Sequence, residues 1–121
     1  MKIAICDDEK SFLKILHNQL CELFKDKKYI IECFSSGDSL IASFTAGKYD
    51  IIILDIEMEG LNGIETAKEI RNTDRNVTIA FLTSYEDFAI EGYSVKAERY
   101  ILKHQPDYMY QEQLKGLFNE Y

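Results

Sequence analysis

The sequence predicts an α/β fold, with five parallel strands in one open sheet and helices on both faces. Two observations predict it. Five short β-rich apolar runs alternate with stretches whose apolar residues recur at helical spacing. Three of the runs, at 3–6, 51–54 and 100–102, are continuous rather than alternating, as in strands covered on both faces. With 121 residues, the chain has the length of one domain.

The elements follow in order. After the run at 3–6, Phe12, Ile15, Leu16, Leu20, Leu23 and Phe24 recur as one helical stripe. A second run at 29–34 precedes Ser36-Gly37-Asp38 and a shorter stripe of Leu40, Ile41 and Phe44. The run at 51–54 leads to a turn at Gly60-Leu61-Asn62-Gly63, then to Ile64, Ala67 and Ile70 on a third helix. A fourth run at 77–82 leads to a weaker helix over 85 to about 91. The fifth run leads to a last helix over about 108–119, with Tyr110, Leu114, Leu117, Phe118 and Tyr121 on one face. Such βαβ units wind into an open parallel sheet, whose function sits at the carboxyl ends of its strands.

Composition narrows the classes. Hydrophobic residues at 46% and charged residues at 29% suit a soluble globular protein. The longest apolar run is far too short to span a bilayer. The N-terminus does not read as a signal peptide, so a cytoplasmic protein without membrane contact is expected. A net charge of −7 without a basic cluster argues against nucleic-acid binding by this domain alone. Cys6, Cys21 and Cys33 lack paired spacing and read as reduced, mostly buried thiols.

The strand ends carry the chemistry. Asp7-Asp8 follows the first run, Asp55 the third, Thr83-Ser84 the fourth and Lys103 the fifth. Parallel neighbours lie about 4.8 Å apart, so these groups can converge on one pocket. Carboxylates suit a hard divalent cation, and an Asp can accept a phosphoryl group as a nucleophile. Phosphoryl transfer asks mainly for positioning and charge neutralisation, which a cation, a lysine and a hydroxyl supply. Each group alone has a blander reading. Asp7, Asp8 and Glu9 could charge the start of the first helix, Asp55 could be a turn residue, Thr83-Ser84 a cap and Lys103 a solvated charge. Separate explanations do not account for all of them falling at the same end of the sheet.

These residues resemble the receiver domain of two-component response regulators over essentially the whole chain, 1–121. The resemblance rests on Asp7-Asp8, on Asp55-Ile56-Glu57-Met58-Glu59-Gly60-Leu61-Asn62-Gly63, on Leu82-Thr83-Ser84 and on Tyr100-Ile101-Leu102-Lys103. The stretch from Thr83-Ser84-Tyr85-Glu86-Asp87-Phe88-Ala89 through Tyr93-Ser94-Val95 is similar to receivers of LytTR-type transcriptional regulators. The resemblance implies a flavodoxin-like (βα)5 fold and a phosphoacceptor rather than an enzyme. It implies that Asp55 takes a phosphoryl group from a sensor histidine kinase. Mg2+ would be bound by Asp8, Asp55 and the backbone carbonyl of Glu57, with Asp7 acting through water. Lys103 and Thr83 would contact the phosphoryl group, and Tyr100 would change rotamer with Thr83. Gly63 would permit the turn into the third helix. Phosphorylation would switch a face formed by the fourth helix, fifth strand and last helix, carrying Phe88, Tyr93, Val95 and Tyr100, and promote a homodimer.

Two positions depart from the family pattern. Glu59 stands where Pro is usual, and His104 follows Lys103 where Pro is usual. A cis bond before a non-proline residue costs about 2.5–4 kcal/mol, so a trans bond is expected at Lys103-His104. Glu57 and Tyr85 would flank the path of attacking water and slow autodephosphorylation. A LytTR-type protein continues into a DNA-binding domain, so an excised receiver is favoured over a stand-alone one. A haloacid-dehalogenase-like phosphatase is the distant rival, since Glu57 follows Asp55 by two positions. That family places its nucleophile on the first strand.

Overall fold

A computed structural model describes residues 1–84 and 99–118. The order is β1 (Lys2–Cys6), α1 (Lys10–Leu23), β2 (Ile30–Phe34), α2 (Gly37–Ser43), β3 (Ile51–Asp55), α3 (Gly63–Thr73), β4 (Thr78–Thr83), β5 (Arg99–Leu102) and α4 (Asp107–Phe118). The helix expected over 85–91 lies outside the described residues, as do Tyr85, Phe88, Tyr93, Val95 and Tyr121. All strand pairs are parallel, in the order β2-β1-β3-β4-β5.

Strand periodicity divides the core into two layers. Ile3, Ile5, Ile51, Ile53, Ala80, Leu82 and Ile101 pack under α1 and α4. Their neighbours Ala4, Cys6, Ile52, Leu54, Ile79 and Phe81 pack with Leu40, Ile64, Ala67 and Ile70 from α2 and α3. Successive side chains of a strand point to opposite faces, and both faces are covered. That is why β1 and β3 read as continuous apolar runs. Edge strand β2 lacks that cover and is only partly buried.

Local signals start two of the helices. Ser36 accepts the Ser39 backbone N–H at 3.1 Å ahead of α2. Asn62 and Glu65 form a reciprocal capping box at α3, with bonds of 2.8 and 3.0 Å. Glu9 stands at the N-cap just ahead of α1, and its side chain makes no capping bond.

Three expectations need correction. Ile15 is 51% exposed and does not belong to the buried stripe of α1, where Leu13 takes a place instead. At about 100° per residue, Ile15 falls outside the arc spanned by Phe12, Leu13, Leu16 and Leu20. Phe24 and Phe44 pack inward from just beyond the ends of their helices rather than from within them. Of the cysteines only Cys6 is buried, since Cys21 sits half-exposed on α1 and Cys33 lies on the uncovered edge strand. No described peptide bond is cis, so Lys103-His104 is trans as expected.

Candidate functional site

The sheet order reverses between β1 and β3, and in open α/β sheets the functional crevice lies outside the carboxyl ends at such a point. Cys6 pairs with Leu54, so Asp7 and Asp55 stand side by side one step further on. Thr83 pairs with Leu102, which places Lys103 just beyond, its backbone N–H bonded to the Thr83 carbonyl at 2.9 Å. The period-2 alternation of the core then sorts the side chains. Asp7, Asp55 and Lys103 continue the face covered by α1 and α4, while Thr83 and Tyr100 continue the face of Phe81. Tyr100 is half-buried, its ring centroid 5.5 Å from that of Phe81.

Asp7, Asp8 and Asp55 each offer a carboxylate oxygen within 4.8 Å of the others. Asp7 and Asp55 are buried, whereas Asp8 is exposed. Asp7 Oδ1 accepts the Glu9 backbone N–H at 2.9 Å. Its Oδ2 lies 2.9 Å from the Lys103 ammonium, an ion-pair distance without hydrogen-bond alignment. Asp55 Oδ1 is likewise buried without a hydrogen bond, 3.6 Å from Lys103 Nζ. Two buried oxygens without hydrogen bonds, in a cluster of three carboxylates, fit a hard divalent cation that takes oxygen ligands. Asp7, Asp8 and Asp55 would hold it.

Electrostatics show the cost of the cluster without a cation. Burial first, then the charge on Asp7, push the Asp55 carboxyl up to about 8, with Glu57 adding to the rise and Lys103 opposing it. Burial alone would lower the Lys103 ammonium, but its contacts with Asp7 and Glu9 hold it well above the ordinary lysine range.

Asp7, Asp8, Asp55 and Lys103 thus meet, while Thr83 and Tyr100 lie on the other face of the sheet, and two arrangements were not foreseen. Glu9, read only as a helix-start charge, reaches Lys103 Nζ at 2.9 Å. Its signal was the third acid directly after Asp7-Asp8. Glu57 enters by its side chain, since its Oε1 accepts a 2.7 Å hydrogen bond from the Thr83 hydroxyl. Lys103 also rests 4.5 Å above the Phe12 ring, a cation–π contact. The departure at 59 has a local consequence, because the Glu59 N–H donates to Asp8 Oδ2 at 3.1 Å. A proline has no such hydrogen.

Gly63 is required by close approach rather than by an unusual φ. A Cβ there would meet the Asp55 carbonyl oxygen at 2.3 Å and the Ile56 Cα at 2.9 Å. These are backbone atoms that no rotamer change can move. Gly63→Ala is expected to cost roughly 1–3 kcal/mol, the usual size of overpacking, and to displace the loop after Asp55. Urea unfolding checks it, and an unchanged midpoint would refute the steric argument.

Comparison with known proteins adds to the geometry. The response regulator receiver domain family model matches residues 3–114. The sensory transduction protein LytT of Oceanobacillus iheyensis is 36% identical over 105 residues, covering 84% of this chain and 41% of LytT. The positive alginate biosynthesis regulatory protein of Pseudomonas aeruginosa is 30% identical over 104 residues, covering 85% of this chain and 41% of that protein. The chain therefore spans under half the length of these curated relatives. Among solved structures, the response regulator TrrA of Thermotoga maritima in complex with Mg2+-BeF has a TM-score of 0.78 at 30% identity, covering 97% of this chain and 98% of TrrA. A complex of the histidine kinase ThkA with TrrA matches with a TM-score of 0.78 at 31% identity, covering 97% of each chain.

Proposed function

This chain belongs to the response regulator receiver domain family, and from that premise we propose that Asp55 is its phosphoacceptor, loaded by a sensor histidine kinase. The observation that carries the reading is the meeting of Asp7, Asp8 and Asp55 within 4.8 Å, with Lys103 Nζ 3.6 Å from Asp55. In the transfer, an Asp55 carboxylate oxygen attacks phosphorus, a P–O bond forms, and the P–N bond to the donor imidazole breaks. The imidazole leaves with the bonding pair and takes up a proton. Asp7, Asp8 and Asp55, with the Glu57 backbone carbonyl, would hold Mg2+, which would supply positive charge for the phosphoryl oxygens. Lys103, its Nζ 3.6 Å from Asp55 Oδ1, supplies positive charge from the protein itself.

Ionisation of Asp55 ties the nucleophile to the cation. A carboxyl pushed up to about 8 is mostly protonated at neutral pH and is then a poor nucleophile. Positive charge in the cluster restores the carboxylate. Thr83 donates to the phosphoryl group, which requires it to leave Glu57, and Tyr100 follows by repacking beside Phe81. This movement favours self-association through β5 and its flanking surface, and it controls a DNA-binding output of the LytTR type elsewhere in the full protein. The 36% identity to LytT supports that output class.

Incubation with acetyl phosphate and Mg2+, followed by intact-mass measurement, tests the assignment. One added phosphoryl group is expected in the wild type and none in Asp55→Asn. No addition to the wild type, or full addition to Asp55→Asn, would overturn it. Sedimentation of the phosphorylated wild type beside Thr83→Ala reads the switch, with assembly expected only in the wild type.

A further inference from the structure

Lys103 is shared by carboxylates that differ in exposure. Asp7 is buried, and the Glu9 backbone N–H fixes its second oxygen. Glu9 is different, because its side chain is 58% exposed and only its tip touches the ammonium, at 2.9 Å. Asp55 Oδ1 stands further off at 3.6 Å. The side chain of Glu9 caps nothing, although the residue stands at the N-cap of α1. Its one polar side-chain contact among the described residues bridges 94 positions of sequence to Lys103. The helix start therefore does not explain where the carboxylate points.

We propose that Glu9 is a positioning residue for Lys103, whose carboxylate competes with the phosphoryl group on Asp55 for the lysine ammonium. The inference rests on the phosphoacceptor reading and deepens it. Before phosphorylation, the Lys103 ammonium is held 2.9 Å from both Asp7 and Glu9, as an ion pair with each and with a hydrogen bond to Glu9. A phosphoryl group on Asp55 brings strong acceptor oxygens beside that ammonium. The lysine can turn a donor toward them by giving up only one of its two close partners. Asp7 is buried and would be left as a bare charge, which is costly. Glu9 faces water and is resolvated on release, so it is the partner that yields. Its charge meanwhile opposes the incoming anion, and the strength of the Glu9 contact sets how tightly the phosphorylated geometry is held.

Beryllofluoride, a phosphoryl mimic, tests this at saturating Mg2+ by calorimetric titration of the wild type, Glu9→Gln and Glu9→Asp. Glu9→Gln removes the charge. Glu9→Asp keeps the charge but is one methylene too short to reach the ammonium. Both are expected to bind beryllofluoride roughly two- to fivefold tighter than the wild type, the scale of a solvent-screened ion pair. Unchanged or weaker binding by Glu9→Gln would overturn the proposal. So would Glu9→Asp binding like the wild type, which is the result expected of a general charge effect without lysine capture. A wild type that binds no beryllofluoride would overturn the phosphoacceptor reading, and this inference with it. A wild type that binds it with the affinity of both variants would overturn this inference alone.

Discussion

Lys103→Met is expected to lose about 3–5 kcal/mol of stability at neutral pH in metal-free solution, the range for removing one partner of a buried ion pair. The lysine side chain is 2% exposed and sits 2.9 Å from a carboxylate that is wholly buried. Methionine keeps most of the stem over Phe12, so the loss reports charge rather than packing. What remains is the buried Asp7 without a counter-charge, beside Asp55. Loss of the exposed Glu9 contact adds little, because water screens it. The pH dependence follows from the raised lysine. Its folded-state pKa lies above the unfolded value, so its contribution is complete below the ordinary lysine pKa. It fades as pH rises through the folded value. The lysine's own part of the gap between wild type and variant should therefore be complete up to about pH 10 and shrink beyond, while Asp55, whose rise Lys103 opposes, widens the gap as pH passes about 8. Adding Asp7→Asn to Lys103→Met should return much of the loss, because it removes the stranded charge. Urea unfolding of the four proteins of this double-mutant cycle measures it. A single-variant loss below about 1 kcal/mol would mean that the pair is solvated in solution.

Much of this site was legible because strand chemistry is local. Asp7, Asp55, Thr83 and Lys103 each end or follow a β-rich apolar run, and parallel pairing brings such ends together. The fold was legible for the same reason, since β1 and β3 are covered on both faces and carry no polar interruption before their ends. What the sequence did not reveal depends on side-chain reach. The Glu9–Lys103 pair joins residues 94 apart, and nothing in the run Asp7-Asp8-Glu9 says which acid turns toward the sheet. Glu57 was assigned by its carbonyl, yet its carboxylate takes the Thr83 hydroxyl, a choice made by rotamer and not by spacing. Ile15 was misplaced because Ile15 follows Phe12 by three positions and Leu16 follows it by four, both helical spacings, and packing selected the side of Phe12 on which Leu13, Leu16 and Leu20 lie. Cys33 was misread because burial on β2 depends on its being an edge, which only the strand order reveals.

Asp55→Asn is expected to melt higher than the wild type in chelator at pH 8, although it removes the residue on which the proposed chemistry depends. The stabilisation should be about 2–4 kcal/mol, within the ceiling that 1.36 kcal/mol per pKa unit allows. The wild-type carboxyl is pushed up to about 8 by burial and by Asp7, against roughly 3.9 in an unfolded chain. Between those values the native state holds a proton that the unfolded state has released. Wild-type stability from this group is thus complete below about pH 4 and is lost as pH rises toward 8. Asparagine does not titrate, so the variant's profile should be flatter across that window. The difference between the two proteins should be near zero at pH 4 and largest at pH 8. Mg2+ should work against that difference. Binding to the native state alone stabilises by mass action, and the wild type keeps a carboxylate ligand that the variant lacks. Saturating Mg2+ should therefore narrow or invert the gap at pH 8 while changing little at pH 4, where protonation removes the ligand. A variant that melts lower than the wild type in chelator at pH 8 would show that Asp55 is not held against its ionisation. The cluster would then be open to water. The coupling between cation and nucleophile in the proposed transfer would lose its physical basis, because a carboxylate already ionised needs no metal to make it one.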